Sequence, residues 1–505
     1  MLAAPTPIAL GGVDGIIHLL RSLLAEASLL TAAQQPTRRY PSLPGAVDRP
    51  PSWLGKEAPF DLAAYFAAPS PQQNAAPLYL DALFEFGSEM AECFPPGPET
   101  EARAKKIRER LQRLMPLSEA FQRDPASVDR AEMAAVIATY EAGFQKLDQA
   151  QQRPRCVFES GLTFATHLPH VQTSRYVAMA VSLRTLASLD RGDLDAPIED
   201  AARVLRMARD LQPRGDGIVE KIYAEEVGAV TKDVVTPVLS HLRLREAHCD
   251  RLIKVLIDHE AHALDGLSEA LKADYLEERV TFYDLAGRPG DRDREAADKA
   301  RVAVFKAFRE SNIPLPQNLR ALMADVSKAT PQQYADAVAE INTYYCRLFA
   351  AAKLPYGQKQ SKAQSASGVT FGTKSSAPVE LIRMLRVVEQ PFVGPGRLKV
   401  IQALAMTQAN LHGLEALAAV RRWQIAHRGA IGGSLPRDLA AACREAGLEA
   451  IPIDPFSGQP MKFVVRDGRP VVYSVGKDGK DDGGTVDSKN DTQPGDLIYR
   501  PVRAH

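Results

Sequence analysis

The sequence predicts a mainly α-helical protein, built as helical hairpins in a solenoid-like body, with a small C-terminal α+β module. Apolar residues recur at helical spacing through most of the chain before residue 350. After a long and a short predicted helix, the pattern changes to β-rich runs between residues 462 and 475. An aspartate-rich loop then follows. The module is therefore predicted to contain a long helix, a short helix, an antiparallel β-hairpin and this loop.

Length and charge limit the class of protein. The 505 residues correspond to about three domains of ordinary size. The chain carries 62 Lys and Arg against 62 Asp and Glu, so its formal net charge is zero. Proteins that bind nucleic acids normally carry a basic excess that neutralises phosphates. We therefore expect no nucleic-acid partner.

The five cysteines are far apart and form no CxxC pair, which argues against a disulfide framework and a cysteine zinc site. We expect them to be buried as small apolar residues. The best candidate for a membrane span, residues 8–33, is predicted to be one helix, but Asp14, Arg21 and Glu26 interrupt it. No membrane span is therefore expected. The N-terminus also lacks an export-signal pattern, so the protein is either cytosolic or exported by a segment outside this chain.

Composition divides the chain into four parts. Residues 1–73 contain the N-terminal helix and a proline-rich, extended or looping segment. Residues 74–354 form the helical-hairpin domain, with a charged linker at 286–298. Residues 355–378 are rich in Ser, Gly, Lys and Gln, which is typical of a flexible linker. Residues 379–505 form the C-terminal module.

Three apolar faces indicate helices, and the second and third of them predict a helical hairpin. One apolar face is predicted on a single helix near residue 140, and two further faces lie on either side of a Gly-Asp turn at residues 191–195. Such an αα-hairpin is the unit of tetratricopeptide-like arrays, but no repeat of about 34 residues is found. The residues of these faces are Met133, Val136, Ile137, Tyr140, Phe144 and Leu147, then Tyr176, Met179, Ala180, Leu183, Leu186 and Ala187, then Ile198, Ala201, Leu205 and Ala208.

The module is predicted to begin with a helix over 397–428, which Gly429 ends. A short helix over 436–446 follows, with its N-cap at Gly432-Gly433-Ser434 and Gly447 as its C-cap. Two β-rich runs, 462–466 and 471–475, flank Asp467-Gly468, a strong signal for a β-hairpin turn.

The loop from Gly476 to Asp496 carries six aspartates against three lysines. Crowded carboxylates repel one another unless a hard cation such as Ca²⁺ neutralises them, and glycines let the backbone turn its carbonyls inward. The loop is not an EF-hand, because Lys480 and Lys489 occupy two ligand positions. A solvated polar loop is the alternative. The candidate calcium ligands are Asp478, Asp481, Asp482, Asp487, Asp491 and Asp496.

From about residue 411 onward, the order of features resembles the C-terminal part of the major pseudopilin of type II secretion. The turn Asp454-Pro455-Phe456-Ser457-Gly458, the stretch Ser474-Val475-Gly476-Lys477-Asp478-Gly479 and the closing Gly495-Asp496-Leu497-Ile498-Tyr499 carry the resemblance. It implies a calcium loop in which Asp478 and Asp496 match the family's ligands. The other four aspartates have no secure counterpart.

The chain departs from pseudopilins because it lacks their N-terminal cleavage site and apolar helix. As a whole it looks like uncharacterised bacterial envelope proteins with a helical body and the same C-terminal ending. The stretches that carry this second resemblance are Asn74 to Leu80, Cys156 to Phe158 and Leu168 to His170. It implies an extracytoplasmic or envelope location but no activity.

Three functions remain open from the sequence. The first is a non-enzymatic scaffold with a protein partner and a calcium-stabilised module. The second is a metal-dependent enzyme with its site near His259 and His262, although their spacing does not fit the zinc-protease pattern. The third is a secretion-linked assembly protein, against which the missing apolar helix argues.

Overall fold

A computed structural model defines the fold. It describes the backbone of residues 41–43, 54, 57–159, 168–212, 217–286, 319–326, 328–366, 375–428, 435–485 and 495–501. The predicted N-terminal helix over 8–33 lies outside these residues, as does nearly all of the charged linker at 286–298.

The described residues form a mainly helical protein with a three-stranded antiparallel sheet near the C-terminus. Two 3-10 helices, Ser88–Cys93 and Pro125–Ser127, lie in the first third of the chain. The α-helices are α1 Leu62–Phe66, α2 Ala76–Leu83, α3 Pro98–Arg123, α4 Arg130–Ala138, α5 Glu141–Gln151, α6 Pro169–Asp190, α7 Asp195–Asp210, α8 Gly217–Ser240, α9 Glu246–His262, α10 Gly266–Ala286, α11 Leu319–Val326, α12 Pro331–Ala352, α13 Tyr356–Ala366, α14 Ala377–Ala426 and α15 Leu439–Glu445. The strands are β1 Lys462–Arg466, β2 Arg469–Ser474 and β3 Leu497–Tyr499.

Local sequence signals explain several helix ends. Asp129 accepts hydrogen bonds from two amides of the first turn of α4. Thr330 and Gln333 form a reciprocal capping box at the start of α12. Pro169 occupies the first turn of α6, where an amide hydrogen is not needed. These residues therefore mark the N-terminus of each helix.

The predicted αα-hairpin is confirmed as α6 and α7, joined by a tight turn in which Gly192 has a φ of 75°. The single helix predicted around Tyr140 is wrong, because α4 ends at Ala138 and α5 begins at Glu141. Its apolar face is nevertheless buried on both pieces. Packing therefore keeps the apolar pattern but bends the backbone at Thr139 and Tyr140.

Other boundaries differ from the sequence predictions. A short helix, α1, lies in the segment predicted to be extended or looping, and Asp61 caps it. The predicted flexible linker contains α13, which packs on α12 and α14. The N-cap of α15 is Asp438, which accepts from Ala441 N, and not Ser434. Cys346 is exposed, whereas the other four cysteines are buried as predicted.

The long helix α14 is the element that joins the protein together. It has 50 residues, about 75 Å at the usual helical rise. The sequence predicted its start at residue 397, yet the backbone is helical from Ala377 and continues through Pro391 and Pro395.

Two hydrophobic cores share α14. Its N-terminal part, including Leu381 and Ile401, joins a core made with α10 and α12. Its C-terminal part, including Leu414 and Leu417, joins the larger core, which also contains residues of α2 to α9. Both cores therefore depend on one continuous backbone.

Because α14 packs with the helices of the body, it belongs to the body, and the C-terminal module comprises the described residues 435–485 and 495–501. This module packs into the larger core. Cys443 of α15, Val472 of β2 and Tyr499 of β3 all belong to it. The predicted hairpin is confirmed, with Phe463 opposite Val472 and a turn in which Asp467 and Gly468 have φ values of 49° and 70°. The sequence did not predict β3, which pairs antiparallel with β2 and completes the order β1-β2-β3.

Tyr499 makes a close contact between the sheet and the long helix. A Cβ atom built on Gly413 would lie 2.3 Å from the Tyr499 ring, so only glycine fits there. The Tyr499 hydroxyl donates to Asn410 Oδ1 at 3.0 Å. On the other side, Lys232 of α8 places its Nζ 5.0 Å from the ring centroid. One residue of β3 thus fixes the module against two helices of the body.

This packing gives a prediction about Gly413→Ala. An alanine in a helix normally stabilises a protein by up to about 1 kcal/mol relative to glycine. Here the added methyl collides with Tyr499, so we expect a loss of about 1–3 kcal/mol, as for overpacked cores. Urea unfolding of the full chain measures this change.

Gly357→Ala is the matched control, because Gly357 is also helical and a Cβ atom placed on it would meet no other atom within 4 Å. We expect its free energy of unfolding to be unchanged or slightly higher. Equal stability of the two variants would contradict the close packing of Tyr499 on α14.

Candidate functional site

The best-defined polar site is the turn that precedes the sheet. Asp454 is 1% exposed, and its side chain accepts four hydrogen bonds. Oδ1 accepts from Phe456 N at 3.0 Å and from Ser474 Oγ at 2.8 Å. Oδ2 accepts from Ser457 Oγ at 2.9 Å and from Val475 N at 3.1 Å. This carboxylate ties the turn to the end of β2, where the aspartate-rich loop begins.

The first part of the loop is a series of tight turns. Gly476 and Gly479 have φ values of 67° and 70°, and Gly479 N donates to Gly476 O at 3.2 Å. The Asp478 carboxylate accepts from Lys480 N at 3.1 Å. Asp478 therefore stabilises its own turn, and it stays partly exposed to solvent.

Asp481 is held against the hairpin. Its Oδ2 forms an ion pair with Lys462 Nζ at 2.9 Å, and its Oδ1 accepts from the Tyr473 hydroxyl at 3.1 Å and from Gly483 N at 2.9 Å. The hydrogen bond from Lys462 is the main reason that the pKa of Asp481 is lowered. Part of the negative charge of the loop is thus balanced by a lysine of β1.

Asp496 closes the loop from the other end, and it is 3% exposed. Oδ1 accepts from Asp482 N at 3.3 Å and Oδ2 from Gly484 N at 2.6 Å. Burial raises the pKa of Asp496, and the nearby charges of Asp481 and Asp482 raise it further.

The six predicted calcium ligands therefore have different positions. Asp496 is buried against backbone amides, Asp481 is ion-paired, and Asp478 and Asp482 are on the solvent side of the loop. Asp487 and Asp491 lie outside the described residues. Among the described residues, no three His, Cys, Asp or Glu side chains are grouped so that they could hold one metal ion.

The alternative site near His259 and His262 is split between two environments. His259 is 7% exposed, whereas the His262 side chain is 62% exposed. His262 Nδ1 lies 2.8 Å from Asp258 O of its own helix. The two imidazoles therefore lie in different environments, one buried and one exposed.

The sequence did not predict a second polar cluster, which is buried at His412 and Glu415 and half exposed at the Glu260 side chain. His412 of α14 contacts Glu260 of α9 and the carbonyl of Ile453 in the module, and Glu415 lies one turn further along α14. The two contacts of His412 span 152 and 41 residues of sequence. Only the spacing of His412 and Glu415 along one helix was visible beforehand, and that pattern is common on helices.

A cleft of about 520 Å³ lies beside this cluster. Its walls are the start of α13, residues 401–408 of α14 and the turn at 455–458. Tyr356 and Phe456 meet edge to face across it, with ring centroids 4.8 Å apart. Apolar side chains and the polar groups of Gln408, Lys359 and Ser457 line this cleft.

The stretches around Asn74, Cys156 and Leu168 lie close together in the body. Asn74 pairs with Val157, donating to its carbonyl and accepting from its amide, each at 2.9 Å. The Phe158 ring lies 6.3 Å from that of Tyr79 and 4.5 Å from that of His170. Tyr79 and His170 are fully buried, so these stretches pack together in the interior of the body.

No protein-family model, no curated protein and no solved structure matches this chain. Among the described residues, no helix is both long and apolar enough to span a membrane.

Asp454 gives the sharpest test of this site. In Asp454→Asn, one carboxylate oxygen becomes an amide nitrogen, which then faces the amide hydrogen of either Phe456 or Val475. A buried donor is left without an acceptor, and we expect a loss of about 2 kcal/mol or more. Urea unfolding of the full chain measures the loss.

Asp467→Asn is the matched control. Asp467 is exposed in the hairpin turn, where its φ is positive, and asparagine tolerates that conformation. We expect less than about 0.5 kcal/mol of change, as for most surface substitutions. An equal effect of the two substitutions would show that Asp454 does not stabilise the module.

Proposed function

We propose that this protein is a non-enzymatic scaffold whose C-terminal module is docked on the helical body and is stabilised by calcium bound at the aspartate-rich loop. The observation that carries the proposal is the arrangement at Asp496. A buried carboxylate ties the C-terminal end of the loop to the backbone amides of Asp482 and Gly484, and burial together with the nearby carboxylates raises its pKa.

Charge is the first support for calcium. The region from Gly476 to Asp496 has six aspartates and three lysines, and Lys462 of β1 offsets one further negative charge. A divalent cation near Asp478 and Asp482 would lower the repulsion felt by Asp496. The glycines with positive φ, from Gly476 to Gly484, allow carbonyl oxygens to join such a site.

The fit is incomplete in the described residues. Asp478, Asp481 and Asp496 already accept hydrogen bonds, and the described carboxylates do not form a ready cage. Calcium tolerates irregular sites that include carbonyls and water. We therefore assign Asp478 and Asp482 as the primary side-chain ligands and Asp496 as the residue that positions the loop.

The scaffold part of the proposal follows from the packing. The module contributes Val472 and Tyr499 to the core of the body, so it is displayed in a defined orientation and not on a free tether. Its loop presents Asp481 and Asp482 to solvent. A calcium-ordered loop in this position suits a surface that binds a protein partner, in the solenoid-like manner that the helical hairpins suggest.

An extracytoplasmic or envelope location is part of the same proposal. Calcium sites of extracellular modules bind weakly, with dissociation constants of roughly 10⁻⁴–10⁻³ M. We expect an affinity in the micromolar range or weaker. Isothermal titration calorimetry measures it, and nanomolar affinity would argue for a cytosolic buffer instead.

Calcium should raise the melting temperature of the full chain. At a hundredfold excess over the dissociation constant, a ligand adds about 2.7 kcal/mol of stability, which corresponds to a rise of several degrees. The measurement is differential scanning calorimetry in CaCl₂ against EDTA, with MgCl₂ as a second control.

Variants locate the effect. Asp478→Asn combined with Asp482→Asn should abolish the calcium response while leaving the melting temperature in EDTA nearly unchanged. Asp467→Asn removes a carboxylate from the same module and should keep the full response. No difference between calcium and EDTA in the unmodified chain would overturn the calcium proposal.

A further inference from the structure

His412 lies where three parts of the protein meet. It projects from α14, and its side chain is buried, with the residue 6% exposed. Its Nε2 lies 2.8 Å from Glu260 Oε1 of α9, and its Nδ1 contacts the carbonyl oxygen of Ile453, at the start of the Asp454 turn. One imidazole thus links the body to the module.

The chemistry of the two partners determines the protonation of this ring. A carbonyl oxygen only accepts hydrogen bonds, and an ionised carboxylate does the same. A neutral imidazole has one N–H, so it satisfies only one of these partners. Both contacts together require hydrogen on both ring nitrogens, which is the imidazolium form. We propose that His412 is a pH-responsive latch, whose doubly protonated ring holds the C-terminal module on the helical body.

The surrounding groups belong to the same cluster. Glu415 shares the helix and is 7% exposed. His259, adjacent to Glu260 in sequence, interacts with that carboxylate, and the Cys443 thiol of α15 lies close enough to Glu415 to be affected by it. On the module side, His412 contacts the Ile453 carbonyl. The carboxylate of the next residue, Asp454, already accepts hydrogen bonds within the module.

The pKa shifts of His412 and Glu415 determine the pH range over which the latch is released. Burial lowers the pKa of His412, but the hydrogen bond and the charge of Glu260 outweigh burial and raise it. Its stabilising contribution is therefore complete below the unfolded value of about 6.5 and is lost as the pH rises through the raised value. Burial raises the pKa of Glu415 to about 7. Because the unfolded chain ionises this carboxyl at a lower pH than the folded chain does, stability is also lost as the pH rises from its ordinary pKa to about 7.

The latch controls a specific part of the surface. His412 holds the turn through the carbonyl of Ile453. The turn continues directly into residues 455–458, which form one wall of the cleft beside α13. Gln408 lines the same cleft and hydrogen-bonds to Glu260. Release of His412 from Ile453 at higher pH would loosen this wall. The contacts of His412 involve no residue of the aspartate-rich loop, so the latch can be tested separately from the proposed calcium binding.

Hydrogen exchange of the full chain tests the latch. Peptides covering 450–461 are followed by mass spectrometry in EDTA between pH 5.5 and 8.5, with rates corrected for the intrinsic effect of pH. Loss of a hydrogen bond to a charged group should increase local opening about tenfold. We expect this increase in the unmodified chain on raising the pH, and no further increase in His412→Gln, which should be open throughout.

His262→Gln is the control, because this exposed histidine lies on α9 near Glu260 but contacts only its own helix. It should behave like the unmodified chain. The same pH dependence in His412→Gln would overturn the proposal.

A direct measurement covers the case in which His412→Gln does not fold. Nitrogen chemical shifts of ¹⁵N-histidine in the unmodified chain distinguish an imidazolium from a neutral ring. An imidazolium at pH 6.5 that becomes neutral at higher pH would support the latch. A neutral His412 ring at pH 6 would rule it out.

Discussion

The packing of α14 is the constraint on which the rest of the structure depends. One helix of 50 residues contributes apolar side chains to two cores, and the same helix carries the contacts of the C-terminal sheet. Because Gly413 accepts the Tyr499 ring without a side chain between them, the sheet lies directly on the helix backbone. The position of the Asp454 turn, the aspartate-rich loop and the cleft beside α13 all follow from this contact.

The polar contacts of the module stabilise three different parts of the structure. Asp454 organises the turn and the end of β2 through neutral donors of the module itself. Asp496 closes the loop through backbone amides. His412 joins the turn to α9 and α14. These contacts involve different groups of one packed unit, so a change of pH at His412 and the proposed binding of calcium at the loop would act on different residues.

The sequence predicted what depends on nearby residues. The α6–α7 hairpin, the Asp467-Gly468 turn and the end of α15 at a left-handed Gly447 each rest on local backbone preferences, and each is present, although the C-cap itself is Ala446. The helix break at Tyr140 occurs where this residue is fully buried, and the helical backbone continues through Pro391 and Pro395. Both features depart from local propensity. For this reason the sequence placed the start of the long helix some twenty residues late.

The candidate site shows the same division. The resemblance to pseudopilins predicts Asp478 and Asp496 as calcium ligands, and this stays a prediction. In the structure, Asp478 lies near the start of the loop and Asp496 at its end. The sequence indicated Asp454 only as part of a turn, although an aspartate before proline is a known signal for a side-chain-closed turn. The contact of His412 with Glu260 joins residues far apart in sequence, so no local pattern indicated it.

The central claim is that the module and the body form one cooperative unit through α14. Native-state hydrogen exchange over a series of low urea concentrations tests it most directly, by comparing the opening free energies of β2 and of α8. If module and body unfold together, the slowest amides of both elements exchange through the same global opening, with equal free energy and equal urea dependence. A sheet that opens at clearly lower free energy while α8 stays protected would contradict it.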